Sequence, residues 1–127
     1  MTITSAICNS FKQEILVGTH NFTASSGNTF KIALYSSDSA TLSKSTTAYT
    51  APSDGTADPT NTYEVTSTSS GYTTGGNSLT STTPVLSGDT ACCKFADTSW
   101  GSSASFTARG CLIYNSTNSN KAVCAIT

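Results

Sequence analysis

Few side chains in this sequence could do chemistry, and the first is His20, in the run "GTHNF". An imidazole there could serve as a general base or as a pH-sensitive contact, because its charge changes near neutrality. It is the single histidine, and just past a helix the simpler reading is structural, a ring bonded to nearby backbone. The abundant serines allow a Ser/His/Asp trio on paper. No G-x-S-x-G occurs, however, and no serine is framed by the strand, elbow and helix that such a nucleophile needs. The chain is therefore expected not to be an enzyme, with a small hydrolase kept as the most remote alternative.

A second set lies in "TARGCLIYNST", residues 107–117, which packs Arg109, Cys111 and Tyr114 into one apolar run. The cysteine and tyrosine read as core. Arg109 is either held in a salt bridge with Asp97 or Glu64 at a strand edge or reaches a neighbouring subunit. Trp100, the single tryptophan, follows "FADTS" in a Ser/Gly loop, and either docks in a partner's pocket or caps its own core. Tyr49 and Asp54 complete the candidate partner contacts.

The remaining candidates carry weaker chemistry. Cys8, Cys92, Cys93, Cys111 and Cys124 form an odd set without C-x-x-C spacing, so neither a zinc site nor a secreted disulfide framework is indicated. They are expected to be reduced and to act as small core side chains. "SGYTTGGNS" lacks the phosphate-loop lysine and opens no helix, which makes Gly71, Gly75 and Gly76 turn residues. Asp38, Asp54, Asp58, Asp89 and Asp97 are scattered. "PSDGTADPTN" echoes a calcium loop only faintly, having no glutamate at the required distance. No cofactor or metal is expected, and the sequons "NFT" and "NST" are of chance frequency in so Asn-, Ser- and Thr-rich a chain.

The elements that must position these residues read as mainly β. Thr4 or Ser5 can cap a helix over about 5–17, whose apolar positions Ile7, Cys8, Phe11 and Ile15 share a face before Gly18 ends it. The period then changes to two. "TFKIALYS" alternates Phe30, Ile32 and Leu34 against Lys31, Ala33 and Tyr35, the pattern of a half-buried strand. Residues 36–62 carry Pro-Ser-Asp-Gly and Asp-Pro turn signals and little to bury, and are expected to form a surface excursion with a short strand near 48–50. "YEVTS" reads as a short strand, and the glycines around Val85 and Leu86 as hairpin turns. "ACCKFAD" alternates, with strand packing explaining its cysteine pair. "GCLIYN" is apolar on both faces, as a central strand is, and "NSTNSN" turns it into "KAVCAIT". Gly110 there is expected to admit a neighbouring backbone or a bulge. One domain results: an antiparallel β-sandwich or small barrel with one N-terminal helix, its β core at 28–35 and 63–127.

Composition limits the partners. Charged residues make up 10% of the 127 and the formal net charge is −1, so no basic footprint for nucleic acid or anionic lipid exists. Ser and Thr together supply 46 positions, a hydroxyl-rich surface suited to packing in an assembly. The first ten residues lack the pattern of a signal peptide, and no apolar run approaches the ~20 residues of a membrane span. The chain is expected to remain in a cytoplasm until assembly.

Seven blocks, "NSFKQEILVGTHNF", "TFKIALYSS", "TTAYT", "GYTTGG", "FADTSW", "TARGCLIYN" and "NKAV", follow one another over nearly the whole chain. In order and spacing they resemble a family of small virion-associated proteins of tailed bacteriophages, including phages of cyanobacteria and marine bacteria. The resemblance implies a structural role in a virion, with decoration or cementing of the capsid as the leading place and a tail, neck or fibre component as the alternative. It implies the major capsid protein or other virion proteins as partners, and self-association as a trimer or dimer. Two departures stand out. Cys92, Cys93 and Lys94 replace the family's valines and aspartate before "FAD". Relatives also continue past the last strand, so either a neighbouring subunit closes the sheet here or the sequence is short of its tail.

Overall fold

Apolar residues fall on both faces of the runs from Phe30 and from Cys111, and a strand of that kind is stable only in the middle of a sheet covered on two sides. The computed structural model describes residues 2–36, 40–58, 62–68 and 70–127; Asp38 and Pro59 lie outside them. Along the chain come β1 (Ala6–Ile7), α1 (Asn9–Leu16), β2 (Phe30–Tyr35), β3 (Asn77–Leu79), β4 (Ser81–Ser87), β5 (Thr90–Phe95), β6 (Gly110–Asn115) and β7 (Lys121–Ile126). The fold is mainly β and antiparallel with one short N-terminal helix. Five strands make one sheet in the order β1-β7-β6-β2-β3, and β4 and β5 make a second. The outer strands β1 and β3 are not paired with each other, so the arrangement is an open, sandwich-like pair of sheets rather than a barrel.

Register assigns the two faces. Lys31 stands opposite Tyr114, Ala33 opposite Leu112 and Tyr35 opposite Gly110, while Phe30, Ile32 and Leu34 face Asn115, Ile113 and Cys111. On the first face Tyr35, Tyr114, Leu112, Ala33 and Ala125 pack with Tyr49 and Leu42; on the second, Phe30, Phe22 and Val123 form a smaller core. Each large apolar side chain so buried contributes about 1.5–3 kcal/mol. β2 is thus covered on both faces, not half-buried. Gly110 admits a neighbouring backbone as expected: a Cβ there would stand 2.7 Å from the Ile126 carbonyl. A bulge in the β6–β7 pair falls between Ile113 and Tyr114.

Three expectations are corrected. The helix is shorter than 5–17, because Ala6 and Ile7 are taken into the sheet opposite Ala125 and Cys124. Its N-cap is Cys8, which offers no side-chain cap, and Ser5 accepts a bond from Thr127 N–H instead. At its other end Gly18, at φ 75°, sends its N–H to Ile15 O while Thr19 N–H reaches Glu14 O, a left-handed glycine stop. Second, residues 36–62 are not only a surface excursion, because several described side chains of the segment are buried. Ala40, Leu42, Tyr49 and Ala57 are buried, and Tyr49 N–H to Asn120 O and Ala122 N–H to Thr47 O tie the segment down. Third, Ala48 and Glu64 make only isolated bridges, to Lys121 and Tyr35, where short strands were expected.

Candidate interaction surface

Among the described residues, Glu64 is a carboxylate with no exposed surface. Its Oε1 accepts from Tyr72 Oη at 2.6 Å and from Gly75 N–H at 2.7 Å, and its Oε2 accepts from Tyr49 Oη at 2.9 Å. Tyr72 Oη also accepts from Leu34 N–H, and Tyr114 Oη donates to Gly75 O. Tyr49, Tyr72 and Gly75 therefore bond one carboxylate, and Leu34 and Tyr114 bond its partners. Burial, and then the Glu64 charge, pushes the Tyr35, Tyr49 and Tyr114 phenols above the ordinary tyrosine range; at Tyr72 burial is joined first by the hydrogen bond to Glu64. The Tyr49, Tyr72 and Tyr114 phenols are held as donors, so the cluster acts as a pin between loop and sheet. It makes Tyr49 a core residue rather than a partner contact.

His20 is likewise tied on both nitrogens, by side chains rather than the nearby backbone expected. Asn115 Oδ1 accepts from the Thr117 and Asn118 N–H groups, which turns its Nδ2 toward His20 Nδ1 at 3.1 Å and Asn28 Oδ1 at 2.9 Å. Nδ1 is therefore the acceptor, and Nε2 carries the proton donated to Glu14 Oε2 at 2.8 Å. Lys121 Nζ donates to the other oxygen, also at 2.8 Å. Burial alone would raise the Glu14 carboxyl, but the hydrogen bonds from Lys121 and His20 and the Lys121 charge outweigh it and hold the group below its ordinary value. Phe11 packs on the imidazole with ring centres 4.9 Å apart. The arrangement joins α1 to the β6–β7 turn, and leaves neither ring nitrogen open to a substrate.

The other candidates differ in burial, Trp100 packing in a core cluster and Arg109 and Asp54 lying exposed. Trp100 caps a third cluster, its ring 6.3 Å from Tyr72 and 6.0 Å from Phe106. Arg109 is exposed just before β6, and its backbone N–H bonds to Tyr35 O at 2.7 Å. Asp54 is exposed at a turn it stabilises by accepting from Thr56 N–H.

The β4–β5 hairpin was expected from its turn glycines and the alternation of "ACCKFAD"; what the sequence reading missed is its exposure. Gly88, at φ 62°, makes its tight turn, and along both strands only Ser81 and Phe95 are even half-buried. Val85 is 62% and Leu86 76% exposed. Cys92 and Cys93 are exposed as well, which corrects their reading as core residues; Cys8 and Cys111 are buried, and Cys124, half-buried, has its thiol pushed up to about 11 by burial and its cysteine neighbours. Between hairpin and sheet runs an apolar groove of about 510 Å³, walled by Ile7, Phe11 and Ile15 on one side and Pro84, Ala91 and Cys93 on the other. The apolar pair was legible in "TTPVLSGDT", but alternation alone does not tell a core-facing strand from one that faces a partner.

No protein-family model, no curated protein and no solved structure matches this chain. No helix among the described residues is long and apolar enough to cross a membrane.

Proposed function

We propose that this protein is a structural component of a tailed-phage virion, a decoration or cement protein bound to the outside of the capsid. The observation that carries the reading is the hairpin, which holds Val85 and Leu86 in solvent on a frame whose two enclosed ionic clusters are spent on holding segments together. Such a surface is built for contact rather than turnover. The ordered blocks that resemble the phage family, and a surface supplied by 46 Ser and Thr residues, support the same role.

Shell expansion opens seams between capsid subunits, and a small domain bridging them binds only the closed state, which stabilises that state by mass action. The partners are then the major capsid protein or other virion proteins, met in the virion after assembly in a host cytoplasm. Many copies at local symmetry axes imply a dimer or trimer. A tail or neck role, with residues 36–62 as the contact loop, is less well supported, since Leu42 and Tyr49 of that segment are buried.

Quantitative mass spectrometry of purified virions decides the matter. Copy numbers comparable to those of the capsid subunit or its hexamers are expected. A number on the order of a few dozen or fewer would remove the protein from the shell and assign it to the tail or neck.

A further inference from the structure

We infer that the cavity between residues 40–50 and the end of β2 is a binding site for one neutral sugar ring, stacked on Tyr63 and bonded by the threonine hydroxyls around it. The cavity measures about 260 Å³. Buried Tyr35 forms part of its wall, with Thr46, Thr62 and Tyr63 half-buried beside it and Thr41 and Thr50 exposed at its rim. Two features of this wall stand out. Thr62 Oγ1 is buried with no hydrogen-bond partner, and a polar atom left so calls for an explanation. No bond holds that hydroxyl in place, so one staggered χ1 step exchanges it with the methyl and brings it to a ligand. Tyr63 holds φ 60°, a left-handed conformation that is an outlier for a bulky residue. The chain fixes it there from both sides: the Tyr63 carbonyl accepts from Ser36 N–H at 3.0 Å, and Val65 N–H bonds Leu34 O at 2.9 Å. The strained backbone thus keeps an aromatic ring in the cavity wall, next to the orphan hydroxyl.

The lining selects the ligand class. Among the described residues no charged side chain lines the cavity, so a phosphate, carboxylate or ammonium group finds no counter-charge in it. An apolar ligand would cover the Thr46 and Thr62 hydroxyls without bonding them, which costs free energy. Thr46 Oγ1 already accepts from Ser43 N–H at 3.0 Å, so its O–H is left to donate. A sugar ring meets both demands: its edge hydroxyls pair with the threonines, and its C–H face covers the tyrosine ring. Volume sets the size. The space is several times the roughly 30 Å³ of one water, so a single bridging water does not account for it. It is also smaller than the roughly 300–1,000 Å³ of pockets for larger ligands, which suits one ring rather than a chain of them. This inference stands without the virion reading, because it concerns only the purified chain.

Two-dimensional NMR titration of the full chain with glucose, galactose, mannose and N-acetylglucosamine provides the test. At least one sugar is expected to shift the Thr62 and Tyr63 signals with a Kd on the order of 1–10 mM. Thr62→Val keeps the side-chain shape and removes only the unpartnered hydroxyl. It is expected to leave thermal unfolding unchanged and to weaken binding about 5-fold. Tyr63→Gly suits the positive φ and removes the ring, and is expected to weaken binding at least ~10-fold, whereas Tyr63→Phe retains it. If Tyr63→Gly fails to fold, Thr62→Val decides alone. No response to any of the four sugars up to about 50 mM, or shifts confined to residues outside this cavity, overturns the proposal. Tighter binding of cyclohexanol or of glucuronate than of glucose also overturns it, giving the cavity to an apolar or an anionic ligand. A folded Thr62→Val that binds as the wild type does overturns it equally.

Discussion

At the scale of single residues, the two enclosed carboxylates decide how this low-charge chain holds its loops. Glu64 is reached from Tyr49, Tyr72 and Gly75, which lie 15, 8 and 11 residues away. No periodicity links those positions, so the cluster was not legible, although a glutamate beside Tyr63 and Val65 in so uncharged a sequence was an available hint. Each partner's contribution is separable. Tyr49→Phe removes one donor from Glu64 Oε2 and is expected to destabilise by about 1–2 kcal/mol. Tyr72→Phe removes a donor to the carboxylate, whose Oε1 keeps Gly75 N–H, and also the acceptor of Leu34 N–H, leaving that buried amide unpaired, and is expected to cost about 1 kcal/mol more. Urea unfolding of the two variants measures the difference. Equal effects would mean that the Leu34 amide finds water or another acceptor.

At the scale of elements, the strands with the strongest patterns were legible and the covering segments were not. Alternation marked β2 and β5, the doubly apolar "GCLIYN" marked β6, and the run of Asn, Ser and Thr before Lys121 marked the turn into β7, because each signal is local. The sheet's outer cover depends on distant pairing. Ala6 and Ile7 sit in a helical pattern yet complete the sheet beside β7, and residues 40–57 look like loop yet place Leu42 and Tyr49 in the core. Small residues suffice there because the backbone hydrogen bonds, not side-chain bulk, seat the segment. The glycines separate the two kinds of turn. Gly76, at φ 76°, has no room for a Cβ, which would run into the Ile32 carbonyl, whereas Gly88 at φ 62° meets nothing within 4 Å. Gly76→Ala is therefore expected to destabilise by more than ~3 kcal/mol and Gly88→Ala by only about 1 kcal/mol, read by thermal unfolding. A tolerated Gly76→Ala would mean that the loop can detach from β2.

At the scale of the whole molecule, these clusters set how stability responds to pH from both sides. Glu14 is held below its ordinary value of 4.5, so the folded state favours the ionised form. That stabilisation is fully present above the unfolded value and fades as pH falls from there through the lower folded one. Because Lys121 is part exposed, the gain is screened to about 1 kcal/mol. Glu14→Gln is thus expected to lose that amount at neutral pH and to converge with the wild type in acid. The alkaline side has the opposite sign. Tyr35, Tyr49, Tyr72 and Tyr114 are raised above the ordinary 10 by burial and by Glu64, so the folded state favours the protonated phenol. Their stabilisation is intact below pH 10 and drains away above it, as the unfolded chain ionises and the folded one does not. In an alkaline titration, most tyrosinate absorbance should then appear together with the loss of circular dichroism, in one cooperative step. Tyr72→Phe should move that step to lower pH, because a weakened pin unfolds sooner. Gradual ionisation of these phenols near pH 10 with the fold intact would show that water reaches Glu64, and would dissolve the pin on which the loop packing rests.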